Sequence, residues 1–326
     1  TRPTEAMRRV MAQAEVGDDV YREDPSVRRL EERTADILGK PAALFVPSGT
    51  MANQIALMLH CRPGDEVYAA EGAHCAFYES GAAGALAGVQ IVEVGRGGSF
   101  DADELLGAIK PRAYYCPNPR LIVIENTHNR GGGSVFPAEQ VARIAELADA
   151  HGLGLHLDGA RLWNAAVATG LAEARLAEPF QTVSVCFSKG LGAPVGSALA
   201  GSAEQIERAL RLRKMLGGGM RQAGILAAAA LHALDHHRAS LAEDHEKAAL
   251  LVSLVRERTS LSALPPQTNI AMIDLPRPAA PVVAELQEAG VLVSAFGPSR
   301  LRLVTHRDVT LTEVRTAAEA LCRIVR

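Results

Sequence analysis

The stretch Gln181–Pro194, QTVSVCFSKGLGAP, decides how the chain reads. An apolar, β-branched run from Thr182 to Phe187 predicts a buried strand that delivers Lys189 into a turn built on Gly190, Gly192 and Pro194. Glycines at such a turn let backbone approach a ligand closely. Away from water an ammonium loses favour against the neutral amine, the form that attacks an aldehyde. An exposed lysine at a strand end is the alternative that this stretch leaves open.

Upstream, the short apolar run Leu153–Leu157 (LGLHL) is followed directly by Asp158, Gly159, Ala160 and Arg161. An acid at the carboxyl end of a buried strand, one strand–helix–strand unit before a buried lysine, suits pyridoxal phosphate chemistry. Lys189 would hold the cofactor as a Schiff base. Asp158 would pair with the pyridine nitrogen and keep it protonated, so that the ring accepts electrons.

Further strands are predicted at Ala42–Val46, Glu66–Ala70, Val89–Val94, Leu121–Glu125 and Val195–Ala200, with helical patterns between most of them. This alternation predicts an α/β fold, a mostly parallel seven-stranded sheet with helices on both faces. Ligands bind such sheets outside the carboxyl ends of the strands, and His74, Asn126, His128, Asp158 and Lys189 all fall there. Pro47-Ser48-Gly49-Thr50 lies between the first strand and a helix from Met51 to Leu59, an arrangement that aims backbone N–H groups at a phosphate. An ordinary N-cap would look the same.

Residues 1–40 read as a charged, helix-like arm that packs on a partner subunit or lies on the surface. A large cofactor-binding domain is expected over 41–245 and a small C-terminal α+β domain over 246–326, built from Thr268–Leu275, Val282–Ala289, Val291–Ala295, Leu301–Val304 and Thr310–Ile324. Between helices, Gly217-Gly218-Gly219 form a linker or let Lys214 and Arg221 reach an anion, in this subunit or the next.

With 326 residues and 48% hydrophobic content the chain can bury a sizeable core. A net charge of −3 and only 4% aromatic residues argue against nucleic acid as the partner. Cys61, Cys75, Cys116, Cys186 and Cys322 lack CxxC spacing, which suggests thiols in a reducing, cytoplasmic setting and no metal site. No signal peptide is read, and Ala223–Leu234 is too short to span a bilayer. No GxGxxG follows a strand, which disfavours a nicotinamide-binding fold.

The segments EVGDDVYREDP, AALFVPSGTMANQIAL, ENTHNRGGGSV, HLDGARLWNAA, CFSKGLGAPVGS, RKMLGGGMRQAG and RLRLVTH run in order over nearly the whole chain. Together they resemble the low-specificity L-threonine aldolases, pyridoxal-phosphate enzymes of fold type I. The resemblance implies cleavage of β-hydroxy-α-amino acids to glycine and an aldehyde, in a homotetramer of two close dimers. It implies that Ser48, Gly49 and Thr50 hold the phosphate, that His74 stacks on the ring, and that Arg161 lies beside the 3-hydroxyl. It places His128 near the substrate β-hydroxyl, sharing that proton with His74, and Arg302 on the substrate carboxylate. Lys214 and Arg221 match a basic loop that helps complete a site across a subunit interface. His156 and His306 are candidates for a supporting shell, and His60, His151, His232, His236, His237 and His245 are expected to be structural or superficial.

The family also carries Ser-Asp-Thr before the position of Thr1, has glycine where Arg22 stands, and leucine where Phe187 stands. A β-eliminating lyase would use the same Lys189 and Asp158, and a cofactor-binding sensor would leave the histidines idle.

Overall fold

The computed structural model describes residues 1–325; Arg326, the end of the expected C-terminal domain, lies outside the described residues. Ala42–Val46 (β1), Asp65–Ala70 (β2), Gln90–Val94 (β3), Asn118–Glu125 (β4), Gly154–Gly159 (β5), Thr182–Cys186 (β6) and Ser197–Gly201 (β7) form one sheet in the order β1-β7-β6-β5-β4-β2-β3. Pairs from β6 through β3 are parallel, while β7 runs antiparallel to both β6 and β1. The reason is chain length. Only the turn carrying Lys189 separates β6 from β7, too little for the crossover helix that a parallel neighbour needs. Strands β2, β6 and β7 are buried throughout, as expected for a sheet covered on both faces.

A second, antiparallel sheet holds Ser262–Ala263 (β8), Ile270–Asp274 (β9), Ser294–Ala295 (β10) and Arg300–Val304 (β11) in the order β10-β11-β9-β8. The strand expected at Val291–Ala295 shortens to β10, and β8 was not foreseen. Two-residue strands carry no readable period. The helix Leu241–Arg258 links the two cores: Leu241 belongs to the core of the large sheet, Leu251 and Val255 to that of the small one.

The N-terminal arm packs on its own chain. Helices Glu5–Ala12 and Pro25–Leu38 lie against the helix Gly224–His236, and Met7, Leu30 and Leu38 join the main core. Asp24 caps the second of these through the amides of Ser26 and Val27, both at 3.0 Å, and also accepts from Gly224 N–H at 2.8 Å. Arg22, where the resemblance implies glycine, sits in the left-handed region at φ 60°, ψ 32°. That conformation favours glycine, and the exposed side chain of Arg22 pairs with Glu207 at 2.6 Å. Phe187 is core, beside Trp163.

Candidate active site

Glu125 and Asp158, at the carboxyl ends of β4 and β5, stand in one row with Ser184 in the middle of β6, because the register pairs Glu125 with Asp158 and Asp158 with Ser184. Asp158 is 3% exposed, with Oδ2 accepting from Asn53 Nδ2 at 2.7 Å and Oδ1 from Ala160 N–H at 3.1 Å. Burial alone would raise its pKa. The charges of Lys189 and His74 and the Asn53 bond outweigh burial and hold it below the usual carboxylate range.

Lys189 follows β6 by three residues and is half-buried, not buried as expected. It stands in a turn past the strand end, where its carbonyl accepts from Gly192 N–H and from Thr1 Oγ1, both at 2.9 Å. Gly190 packs closely here: a Cβ would lie 2.6 Å from Leu241 Cδ2, so a larger residue would have to displace that side chain.

The expected phosphate cup is the N-terminus of the helix Gly49–His60, capped by Ser48 Oγ, which accepts from Met51 N–H at 3.2 Å. Ser197 ties this cup to the lysine turn. It pairs in register with Val46 of β1 and with Cys186 of β6, and its buried Oγ has no hydrogen-bond partner. A Cβ on Gly49 would sit 3.7 Å from that oxygen. Sequence reasoning passed over Ser197, since a serine in an apolar strand announces nothing until its neighbours are known.

His74 begins a short helix, its backbone N–H donating to Glu125 Oε2 and its Nδ1 donating to Glu79 Oε1, each at 2.8 Å. The bond to Glu79 raises its pKa against the opposing effect of burial. In the neutral ring that bond places the proton on Nδ1 and leaves the lone pair on Nε2. Glu125 is pushed up to about 7, first by burial and then by the charge of Asp158.

His128 has the opposite tautomer. Its ring is 1% exposed, and burial pushes its pKa down to about 4. Nδ1 accepts from Gly131 N–H at 2.9 Å, which leaves the single proton on Nε2, 3.6 Å from Glu125 Oε2 and without a hydrogen-bond partner. In this arrangement the free nitrogen donates. That disfavours the proton-abstracting share expected of His128 from sequence.

Arg161 and Arg302 meet on one amide. Asn129 Oδ1 accepts from Arg302 Nη2 at 2.8 Å and from Arg161 Nη1 at 3.4 Å. Burial, then the charge of Arg161, pushes Arg302 down to about 10. Arg302 Nε and Arg307 Nη1 are buried donors without partners, and Arg307 borders Gly192 in the lysine turn. Lys214 and Arg221 stand apart: both are exposed, and Arg221 pairs with Asp18 at 2.5 Å. Neither bonds to the residues around Lys189 among those described.

A lysine, a buried acid kept ionised, a helix N-terminus and unpartnered donors on Ser197, His128, Arg302 and Arg307 fit an anionic aromatic aldehyde such as pyridoxal phosphate.

The chain is similar to known proteins over nearly its whole length. The family model for beta-eliminating lyases matches residues 1–277. The chain is 43% identical over 328 residues to low-specificity L-threonine aldolase 1 of Arabidopsis thaliana, covering 96% of this chain and 91% of that protein. It is 40% identical over 321 residues to low specificity L-threonine aldolase of Escherichia coli K12, covering 98% and 95%. The structure of Leishmania major threonine aldolase superposes with a TM-score of 0.86 at 24% identity, covering 100% of this chain and 97% of that one. An aspartate aminotransferase from Thermotoga maritima superposes at 0.78 with 15% identity, covering 99% and 88%, so the fold alone does not select the reaction. Sequence and fold together establish that the chain is a lyase of pyridoxal-phosphate fold type I and belongs to the beta-eliminating lyase family, among the low-specificity L-threonine aldolases.

Proposed function

We propose that the chain catalyses the reversible retro-aldol cleavage of L-threonine, L-allo-threonine and other β-hydroxy-α-amino acids to glycine and an aldehyde, with pyridoxal 5′-phosphate attached at Lys189. The observation that carries this reading is that Asp158, at the carboxyl end of β5, and Lys189, in the turn after the adjacent parallel strand β6, lie within electrostatic reach, so that the lysine's charge helps keep a buried carboxylate ionised.

When bound, pyridoxal phosphate supplies an electron sink for the pair released as the Cα–Cβ bond breaks. Ser48, Gly49, Thr50 and Ser197 would offer donors to its phosphate, and Asp158 would hold its ring nitrogen. Lys189 would anchor it. Arg302 grips the substrate carboxylate through its guanidinium fork and so fixes one rotation of the substrate. Arg161 stands beside it, held by the same Asn129. His74 takes the β-hydroxyl proton at Nε2, directly or through a water, while His128 donates from Nε2 to the hydroxyl oxygen and orients it.

Borohydride reduction followed by peptide mapping is expected to place the label on Lys189. A Lys189→Ala variant loses both the label and nearly all turnover. A wild-type label elsewhere overturns the reading. β-Elimination is the second reading, because the matched family is described by that chemistry. Threonine yielding acetaldehyde and glycine supports cleavage; serine or cysteine yielding mainly pyruvate and ammonia supports elimination.

The reading extends to a homotetramer in which Lys214 and Arg221 complete a neighbouring subunit's site. It also extends to the cytoplasm, where free thiols such as Cys61, Cys75, Cys116 and Cys186 persist. Among the described residues no helix is long and apolar enough to cross a membrane.

A further inference from the structure

Asn53 is 2% exposed, and one carboxamide serves both acids behind the lysine. Its Nδ2 donates to Asp158 Oδ2 at 2.7 Å and to Glu79 Oε1 at 2.9 Å. Carboxylates only accept, so the amide nitrogen has to face them and Oδ1 has to face away. Oδ1 in turn accepts from Ser184 Oγ at 2.9 Å and from His156 Nε2 at 3.2 Å. The proton of His156 is thereby placed on Nε2. Its Nδ1 accepts from Thr182 Oγ1 at 2.9 Å, in preference to the longer 3.2 Å approach to the Thr182 carbonyl. Thr182 Oγ1 is left to accept from His60 Nε2 at 2.9 Å. Every link from His60 inward donates in the same direction and ends on Asp158 and Glu79.

Glu79 is held from a third side by Gln54 Nε2 at 2.6 Å. Its remaining acceptor capacity goes to His74 Nδ1. A ring nitrogen of His74 and one carboxylate oxygen each of Glu79 and Asp158 lie within 4.8 Å of one another, and the bridging amide of Asn53 accounts for the two carboxylates standing so close.

We propose that Asn53 is a positioning residue that couples the two halves of the site: through one amide it holds Asp158 as the ring-nitrogen partner and Glu79 as the acceptor that sets the tautomer of His74. The inference rests on the reading of Lys189, Asp158 and His74 given above. It adds that electron sink and proton acceptor are set by one buried donor, so a disturbance at either acid reaches the other.

The groups facing His74 are Glu79, Asp158 and Lys189, with Glu125 on its backbone N–H and the Tyr78 ring 5.5 Å away. Glu79 and Asp158 favour the protonated ring and Lys189 opposes it. Glu79→Gln keeps the shape and removes one charge.

The test follows His74 by imidazole ¹⁵N NMR in the full chain without cofactor, and the pH dependence of the absorption band after adding pyridoxal phosphate. In Glu79→Gln the His74 midpoint is expected to fall by about one pH unit, a tenfold loss of proton affinity, and the cofactor band is expected to shift its midpoint as well. Asn53→Ser, shown to be folded by a cooperative melt, is expected to move both readouts. A folded Asn53→Ser that leaves both unchanged overturns the proposal. Should Asn53→Ser not fold, Glu79→Gln decides alone: a cofactor band that ignores the loss of Glu79 overturns the coupling. Borohydride mapping on the wild type keeps the outcomes separate. A label away from Lys189 sinks the functional reading, while the NMR result still reports on Asn53 and Glu79.

Discussion

Gly98 and Gly131 are the residues that let two loops close over His128. A Cβ on Gly98 would stand 2.3 Å from His128 Nδ1, and one on Gly131 would stand 2.6 Å from the Gly97 carbonyl. Gly98 also sits at φ +96°, which L side chains rarely adopt. Gly98→Ala is therefore expected to break the Gly131–His128 hydrogen bond and to destabilise the fold by about 1–3 kcal/mol, read by denaturant unfolding. Turnover should fall with it, because the His128 donor is no longer fixed. An unchanged unfolding curve would mean that the loops yield without cost. At this scale the sequence was legible where chemistry falls just after a strand, as with Asp158 and Lys189. It was not legible for Asn53 and Glu79. Polar residues in a helical run read as solvated until the acid or amide facing them is known, and those partners lie 26 and 105 positions away from Asn53.

Strand β1 lies at the edge of the large sheet, yet its outward backbone groups at Phe45 are satisfied. Glu31 Oε1 accepts from Phe45 N–H and Arg213 Nη1 donates to Phe45 O, both at 2.8 Å, with Arg213 braced by Asp19 at 2.8 Å. Helices before and after the strand thus close an edge that would otherwise template pairing with another chain. Burial pushes the Glu31 carboxyl up to about 7, against the bond it accepts from Phe45. A carboxyl raised on folding contributes stability that is fully present below pH 4.5 and is lost as pH rises through 7. At 1.36 kcal/mol per unit, the loss is up to about 3 kcal/mol. Glu31→Gln keeps an acceptor for Phe45 and removes the titration, so its stability relative to wild type should rise across this window. Unfolding free energies of both proteins from pH 4.5 to 8 check it; parallel curves would refute it. Element existence in this sheet followed from alternation. The direction of β7 did not, although the short β6–β7 connection contained it, because periodicity reports burial and not chain direction.

The whole molecule leaves one group of expected site residues outside the site. Lys214 and Arg221 are exposed, beside the exposed apolar side chains of Met215 and Ile225, while Gly218 packs on Met51 in the first turn of the cup helix. A loop so close to the cup, yet with its cations turned outward, suits use by a second copy. We also propose the division of the chain near residue 245, since the helix Leu241–Arg258 begins in one core and ends in the other. The use of the loop by a second copy is not readable from local pattern, because assembly depends on surfaces and periodicity reports interiors. Mixed subunits separate the two places in which Lys214 and Arg221 act. Lys189→Ala and Arg221→Ala chains, each defective alone, are unfolded together and refolded as mixed assemblies. Where the basic loop serves a neighbour, every mixed pair holds one dead site and one intact site. Random pairing then restores about a quarter of the wild-type activity per subunit. Where Arg221 serves its own chain, both sites of a mixed pair stay dead and no activity returns. Recovery that tracks the fraction of mixed pairs as the ratio is varied establishes the shared site, and its absence confines the loop to the subunit that carries it.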